Sequence, residues 1–301
     1  MVKLLDFLRL IRSKNLLIMA LTQYLIRYAL IIPITNNNCL SHLQFFFLVM
    51  STVFIAAAGY VINDYFDIKV DRLNQRTVIV GNKIKRREAM LIHFIFSGIG
   101  IFIGFYLGWQ VGILNLGFIN LFCSIGLWFY STHFKRSYLS GNLLISLLSA
   151  LVIIIIPLYD IIPKPTTNAE NAFLVICFYS IFAFLTTFIR EVIKDFEDSD
   201  GDLKMGYDTF ALRTPVLAKN SIRLMTILII ICITIIAVLQ IFDGAIYSAM
   251  YVFIGVEAPL IYFLLKMYKA KNKTDFHHLS QIMKLIMLTG TLSILVFTLL
   301  F

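Results

Sequence analysis

The sequence predicts an all-α polytopic membrane protein, with nine transmembrane helices around a central cavity. Three observations predict it. Apolar residues make up 59% of the 301-residue chain and charged residues 14%, whereas a soluble domain carries about 45–50% and about 25%. Nine apolar stretches each approach the roughly 20 residues that cross about 30 Å of hydrocarbon. The charges gather between these stretches, and all but Arg27 and Lys164 of the 26 Lys and Arg residues fall on one side. Too little polar surface is available to cover a water-soluble domain, which excludes soluble enzymes, nucleic-acid binders and secreted disulfide scaffolds. The net charge of +9 is therefore an orientation signal, and no nucleic-acid partner is expected.

The elements follow in order. Met1 to Lys14 alternates Leu and Phe with Lys3, Arg9, Arg12 and Lys14, and no small-residue cleavage site follows. It reads as a short amphipathic helix at the interface rather than a signal peptide. The spans are expected at 15–34, 43–62, 89–107, 111–130, 142–159, 171–189, 222–241, 246–265 and 280–301. Gly108-Trp109-Gln110 is expected to be the tight turn between the third and fourth. Pro157 and Pro259 kink the fifth and eighth without disqualifying them. The positive-inside rule puts the N-terminus in the cytoplasm and, after nine spans, the C-terminus outside, in a cell (inner) membrane. An eight-span arrangement would strand a basic cluster on the wrong side. Cys39, Cys123, Cys177 and Cys232 have no metal-ligand spacing and read as buried small residues.

The basic side also holds most of the acids, in two clusters with the same D-x-x-D-x-x-x-D spacing. Asp64, Asp67 and Asp71 follow the second span; Asp195, Asp198 and Asp202 follow the sixth. Offsets of three and seven put three carboxylates on one face of a helix. Like charges so arranged call for a shared cation, and all-oxygen ligands without His or Cys favour Mg²⁺, which binds through carboxylates plus substrate phosphates. Arg190 and Lys194, Arg72 and Arg76, and Lys135 and Arg136 supply nearby cations for a diphosphate. A recurrence after four spans suggests a single domain, 1–301, with helices 1–4 and 5–8 as a parallel pseudo-repeat, helix 9 added, and the two clusters facing each other across the cavity. A diphosphate held at the surface of so apolar a protein suggests a prenyl diphosphate with its tail among the spans. Tyr60, Tyr65, Phe66, Tyr130 and Phe188 lie near the expected site level, where aromatic faces can stabilise an allylic cation.

The chain resembles the UbiA-type intramembrane prenyltransferases. Asn63-Asp64-x-x-Asp67-x-x-x-Asp71 is similar to the family's first Asp-rich motif, and Arg190-Glu191-x-x-Lys194-Asp195-x-x-Asp198-x-x-x-Asp202 to its second. Tyr130-Ser131-x-x-x-Lys135-Arg136, followed by Gly141-Asn142, is similar to the loop after the fourth helix. The resemblance covers nearly the whole chain. It implies Mg²⁺-dependent transfer of a prenyl group from a diphosphate to a lipophilic acceptor. It also implies that Asp67, Asp71, Asp198 and Asp202 carry the metals, while Asn63, Lys135 and Lys194 contact the diphosphate. Many members carry Asn-x-Pro-x-Arg after the first motif; here the run is Asn74-Gln75-Arg76-Thr77, shorter and without proline.

The stretches Asn15–Arg27 and Arg190–Thr209 look most like the branch that prenylates geranylgeranylglyceryl phosphate, an ether-lipid reaction. The alternative is an aromatic acceptor, as in quinone or haem side-chain synthesis. Asp64, Asp195 or Glu191 could take the acceptor proton in either case. A transporter or lipid-binding protein would instead place its acids near the bilayer midplane, and only Glu257 lies there. Arg27, inside the first span, could bind an acceptor phosphate or pair with Glu257. No obligate protein partner is evident.

Overall fold

A computed structural model of the chain describes residues 4–35, 39–74, 76–166 and 168–297. Lys3, Gln75 and the end of the expected ninth span, 298–301, lie outside the described residues. After a short helix α1 (Leu4–Leu10), nine helices among the described residues are long and apolar enough to cross a membrane. They are α2 (Ser13–Thr35), α3 (His42–Phe66), α5 (Arg86–Gln110), α6 (Leu114–Thr132), α7 (Ser140–Asp160), α8 (Ala169–Lys204), α9 (Pro215–Phe242), α10 (Ile246–Lys269) and α11 (Lys273–Phe297). A short helix α4 (Ile68–Leu73) follows α3. Each expected span falls on one of these nine.

Several local expectations need correction. Arg12, with φ of 51°, separates α1 from α2. The short helix α1 buries Leu10 against Val61, Ile68, Val80, Ile84 and Ala89, while Leu4 and Leu5 stay exposed. The tight turn between α5 and α6 falls three residues later than expected, at 111–113, because α5 continues through Gln110. Pro157 sits within α7, and Pro259 in the first turn after a π-helical segment, Phe253–Glu257. The cysteines are free thiols, but none is fully buried, and Cys232 is exposed on α9 among outward-facing Leu228, Ile231 and Ile235. In a membrane-spanning helix such exposed apolar faces meet lipid rather than a protein core.

The described residues pack as two units. The first comprises residues up to Lys135 with Leu151–Cys177; the second comprises Arg136–Ala150 with the chain from Phe178 onward. In the first, α3, α5 and α6 pack closely through small residues. Ser51 donates to the Gly100 carbonyl at 2.6 Å, and Asn120 donates to Ser51 and to the same carbonyl. Small residues with interhelical hydrogen bonds are how helices associate where lipid is as apolar as the side chains. In the second, Phe188, Ile189, Val192 and Ile193 of α8 bury against Leu260, Phe263 and Met267 of α10 and Met283 and Ile286 of α11.

Candidate active site

The first Asp-rich motif crosses a one-residue break between two helices. Asp67 ends α3 with φ −84° and ψ 0°, its N–H still donates to the Asn63 carbonyl and its carbonyl accepts from the Asp71 N–H, and α4 begins beyond it. Asp64 therefore lies on α3, Asp67 at the joint and Asp71 on α4. Each carboxylate has its own partner. Arg12 donates to Asp64 Oδ1 at 2.9 Å. Asn63 donates to Asp67 Oδ2 at 2.7 Å, and Lys135, 68 residues further on, donates to the same oxygen. Arg76 approaches Asp71 Oδ1 at 3.9 Å. Burial, reinforced by the Asp67 charge, pushes the Asp71 carboxyl up to about 6 against the pull of Lys135 and Arg76.

The second motif does lie on one helix. At 36 residues, α8 is about 54 Å long, well beyond the hydrocarbon thickness. Its C-terminal part carries Arg190 to Asp202 as a continuous extension. Asn142 donates to Asp195 Oδ2 at 2.8 Å. Arg190 and Lys194 both donate to Glu191 Oε1, at 2.9 and 3.4 Å. Asp202 is buried and Asp198 half-buried one turn earlier.

The remaining expected residues separate. Tyr130 is half-buried near the end of α6. Lys135 joins the first motif, whereas its neighbour Arg136 stacks over the Tyr207 ring at 5.3 Å and accepts from the Asp208 N–H. Arg72 borders a recess with other cations rather than the Asp67 carboxylate. Arg27 pairs with Asp160 at 2.9 Å, not with Glu257, which accepts instead from Thr234 at 2.8 Å. The sequence reading gave no role to Arg12 or Asn142; its one hint was the position of Asn142 in the loop resemblance.

The donors suit a metal-bound diphosphate in kind: hard carboxylate oxygens, without His or Cys among them. Buried nitrogens, Asn74 Nδ2 and Arg190 Nε, have no partner among the described residues and are suited to an anion. Among the described residues no three His, Cys, Asp or Glu side chains converge to hold a cation.

Helices of membrane-spanning length, with carboxylates held by cations and amides at the end of α3 and along the C-terminal part of α8, describe an integral membrane protein. The UbiA prenyltransferase family model matches residues 17–288. Among similar proteins, the digeranylgeranylglyceryl phosphate synthase of Methanosphaera stadtmanae is 31% identical over 248 residues, 80% of this chain and 83% of that one. The synthase of the same name from Korarchaeum cryptofilum is 28% identical over 242 residues, 80% of this chain and 81% of that one. In fold, a solved structure concerned with digeranylgeranylglyceryl phosphate synthase in membranes matches 98% of this chain and 99% of its own, with TM-score 0.68 and 23% identity. A UbiA homologue from Archaeoglobus fulgidus bound to DMAPP and Mg²⁺ matches 96% and 99%, with TM-score 0.56 and 16% identity. The chain belongs to the UbiA prenyltransferase family and is a membrane prenyltransferase.

Proposed function

We propose that this chain transfers a geranylgeranyl group from its diphosphate to geranylgeranylglyceryl phosphate, the second prenylation of an ether lipid. The observation that carries the acceptor is the likeness, over four-fifths of the chain, to proteins named for making that product. Aromatic acceptors have no corresponding support among these relatives.

Both Asp-rich motifs serve this reaction. Asp67, Asp71, Asp198 and Asp202 supply carboxylates for Mg²⁺, which when bound neutralises the diphosphate and makes it a better leaving group. Asn63, Lys135, Arg76, Arg190 and Lys194 donate to diphosphate oxygens. The C1–O bond of the prenyl diphosphate breaks, the acceptor hydroxyl oxygen bonds to C1, and the hydroxyl proton leaves. Of the three candidates Asp195 is the proton acceptor: a neutral amide holds it, whereas Arg12 pairs with Asp64, and Arg190 and Lys194 with Glu191. The N-terminus is cytoplasmic, in the cell membrane, so both motifs draw on the cytoplasmic diphosphate pool.

The test offers purified protein geranylgeranyl diphosphate and Mg²⁺ with geranylgeranylglyceryl phosphate, 4-hydroxybenzoate or dihydroxynaphthoate, and weighs the products. Digeranylgeranylglyceryl phosphate is expected, and excess chelator abolishes it. A prenylated aromatic product alone, or full turnover in chelator, overturns the corresponding part of the proposal.

A further inference from the structure

Most cations around the first motif are matched to carboxylates: Arg12 to Asp64, Arg76 to Asp71, Lys83 to Asp6 and Lys135 to Asp67. Four are not. Lys69, Arg72, Lys85 and Arg86 have no carboxylate partner among the described residues, and these same four border one recess of about 530 Å³. Positive-inside sorting explains basic residues on one side of a membrane. It does not explain why four unmatched ones border a single recess.

The walls of the recess are fixed by apolar packing. Lys69 and Arg72 project from α4, whose Ile68 is buried with Val80, Ile84 and Leu10. The turn between them and α5 is closed by Gly81 N–H to the Ile84 carbonyl at 2.7 Å, and by Lys83 and Ile84 N–H groups to the Ile79 carbonyl. Gly81, at φ +88°, lines the recess in a conformation that side-chain-bearing residues rarely adopt. Lys85 and Arg86 stand at the start of α5, where the first-turn amides have no helical acceptor and the helix dipole favours an anion. The adjacent Glu88 carboxylate turns back to the Lys85 N–H at 3.1 Å. Arg86 is steadied over the Tyr65 ring at 5.6 Å. On α4, Lys69 sits about 160° around the helix from Asp71, so the recess and the Asp-rich motif use different faces.

We infer that this recess is a second anion site, binding a phosphate group separately from the diphosphate of the reaction. Two guanidinium forks and two ammonium groups match the oxygens of a phosphate ester. The phosphate is carried either by an anionic glycerolipid or by free phosphate in solution.

The test uses the full chain in neutral detergent and reads apparent Kd by thermal-shift titration. The probes are dioleoyl phosphatidic acid in mixed micelles, inorganic phosphate, and phosphatidylcholine as the neutral lipid. Phosphatidic acid is expected to stabilise the wild type, and Lys69→Gln/Lys85→Gln to raise its Kd at least tenfold. Both side chains are exposed, so the variant should fold; Lys85→Gln alone should give a smaller shift in the same direction. Lys266→Gln, a charge loss on α10, should leave Kd unchanged. Inorganic phosphate matching phosphatidic acid would identify the free ion as ligand; phosphatidic acid acting alone would identify a lipid headgroup. The inference is overturned if the double variant binds like wild type, if Lys266→Gln loses as much, or if phosphatidylcholine binds equally well.

Discussion

Arg27 shows how one residue is made tolerable inside a span. Its side chain and that of Asp160 are both fully buried, 2.9 Å apart. The guanidinium also donates to the Leu40 and Ser41 carbonyls and lies 4.4 Å from the Phe45 ring centroid. Backbone N–H groups of Cys39 and Leu40 donate to Asp160. The pair ties α2, the start of α3 and the end of α7 together. Removing one partner leaves a buried charge uncompensated, which costs about 3–5 kcal/mol. Arg27→Met or Asp160→Leu alone should lower the melting temperature in detergent sharply. The double variant should recover part of the loss, and a double loss equal to the sum of the singles would show that the two charges do not depend on each other. A different expectation holds at Asp67. Asp67→Asn keeps the shape but removes the charge opposite Lys135. Prenyl transfer should fall about 100-fold or more, with the Mg²⁺ requirement moved to higher concentration. An unchanged Mg²⁺ dependence would remove Asp67 from the ligand set.

At the scale of elements, two glycines on α5 separate packing from propensity. A Cβ at Gly100 would lie 2.9 Å from the Ser51 backbone carbonyl, which cannot move without shifting α3. A Cβ at Gly98 meets nothing within 4 Å. Gly100→Ala should destabilise by about 1–3 kcal/mol, whereas Gly98→Ala should be neutral or stabilise by up to about 1 kcal/mol through helix propensity. Thermal unfolding of the two variants side by side checks this; equal effects would show that the α3–α5 contact is not tight. The same elements show what was readable in advance. The nine helices were legible because bilayer thickness sets their length whatever they pack against. The break at Asp67 was not, since offsets of three and seven look alike in a continuous helix and across a joint. Asp160 as the partner of Arg27 was equally hidden, because it reads in sequence as an acid at a span end. Lys135 was singled out by family likeness and meets Asp67, whereas Arg12 and Asn142 reach their partners only through tertiary contact that spacing does not show.

For the whole molecule, the membrane fixes a relation that no single helix contains. An odd number of crossings places the two ends of the chain on opposite sides. The basic residues between α3 and α5, between α6 and α7, and between α8 and α9 then share the side of the N-terminus, whereas the ends joining α2 to α3 and α9 to α10 carry few. Arg27 and Asp160, close to the sparsely charged ends, neutralise each other and so do not oppose this orientation. A fluorescent protein fused to the C-terminus of the chain, expressed in a bacterial inner membrane, should therefore be dark, and alkaline phosphatase at the same position should be active. Replacing the cations between α3 and α5 with glutamine should weaken the preference by removing the densest part of the signal. A bright C-terminal fluorescent fusion would mean that the bundle crosses an even number of times or lies inverted, and inversion would put the Asp-rich motifs out of reach of a cytoplasmic prenyl diphosphate.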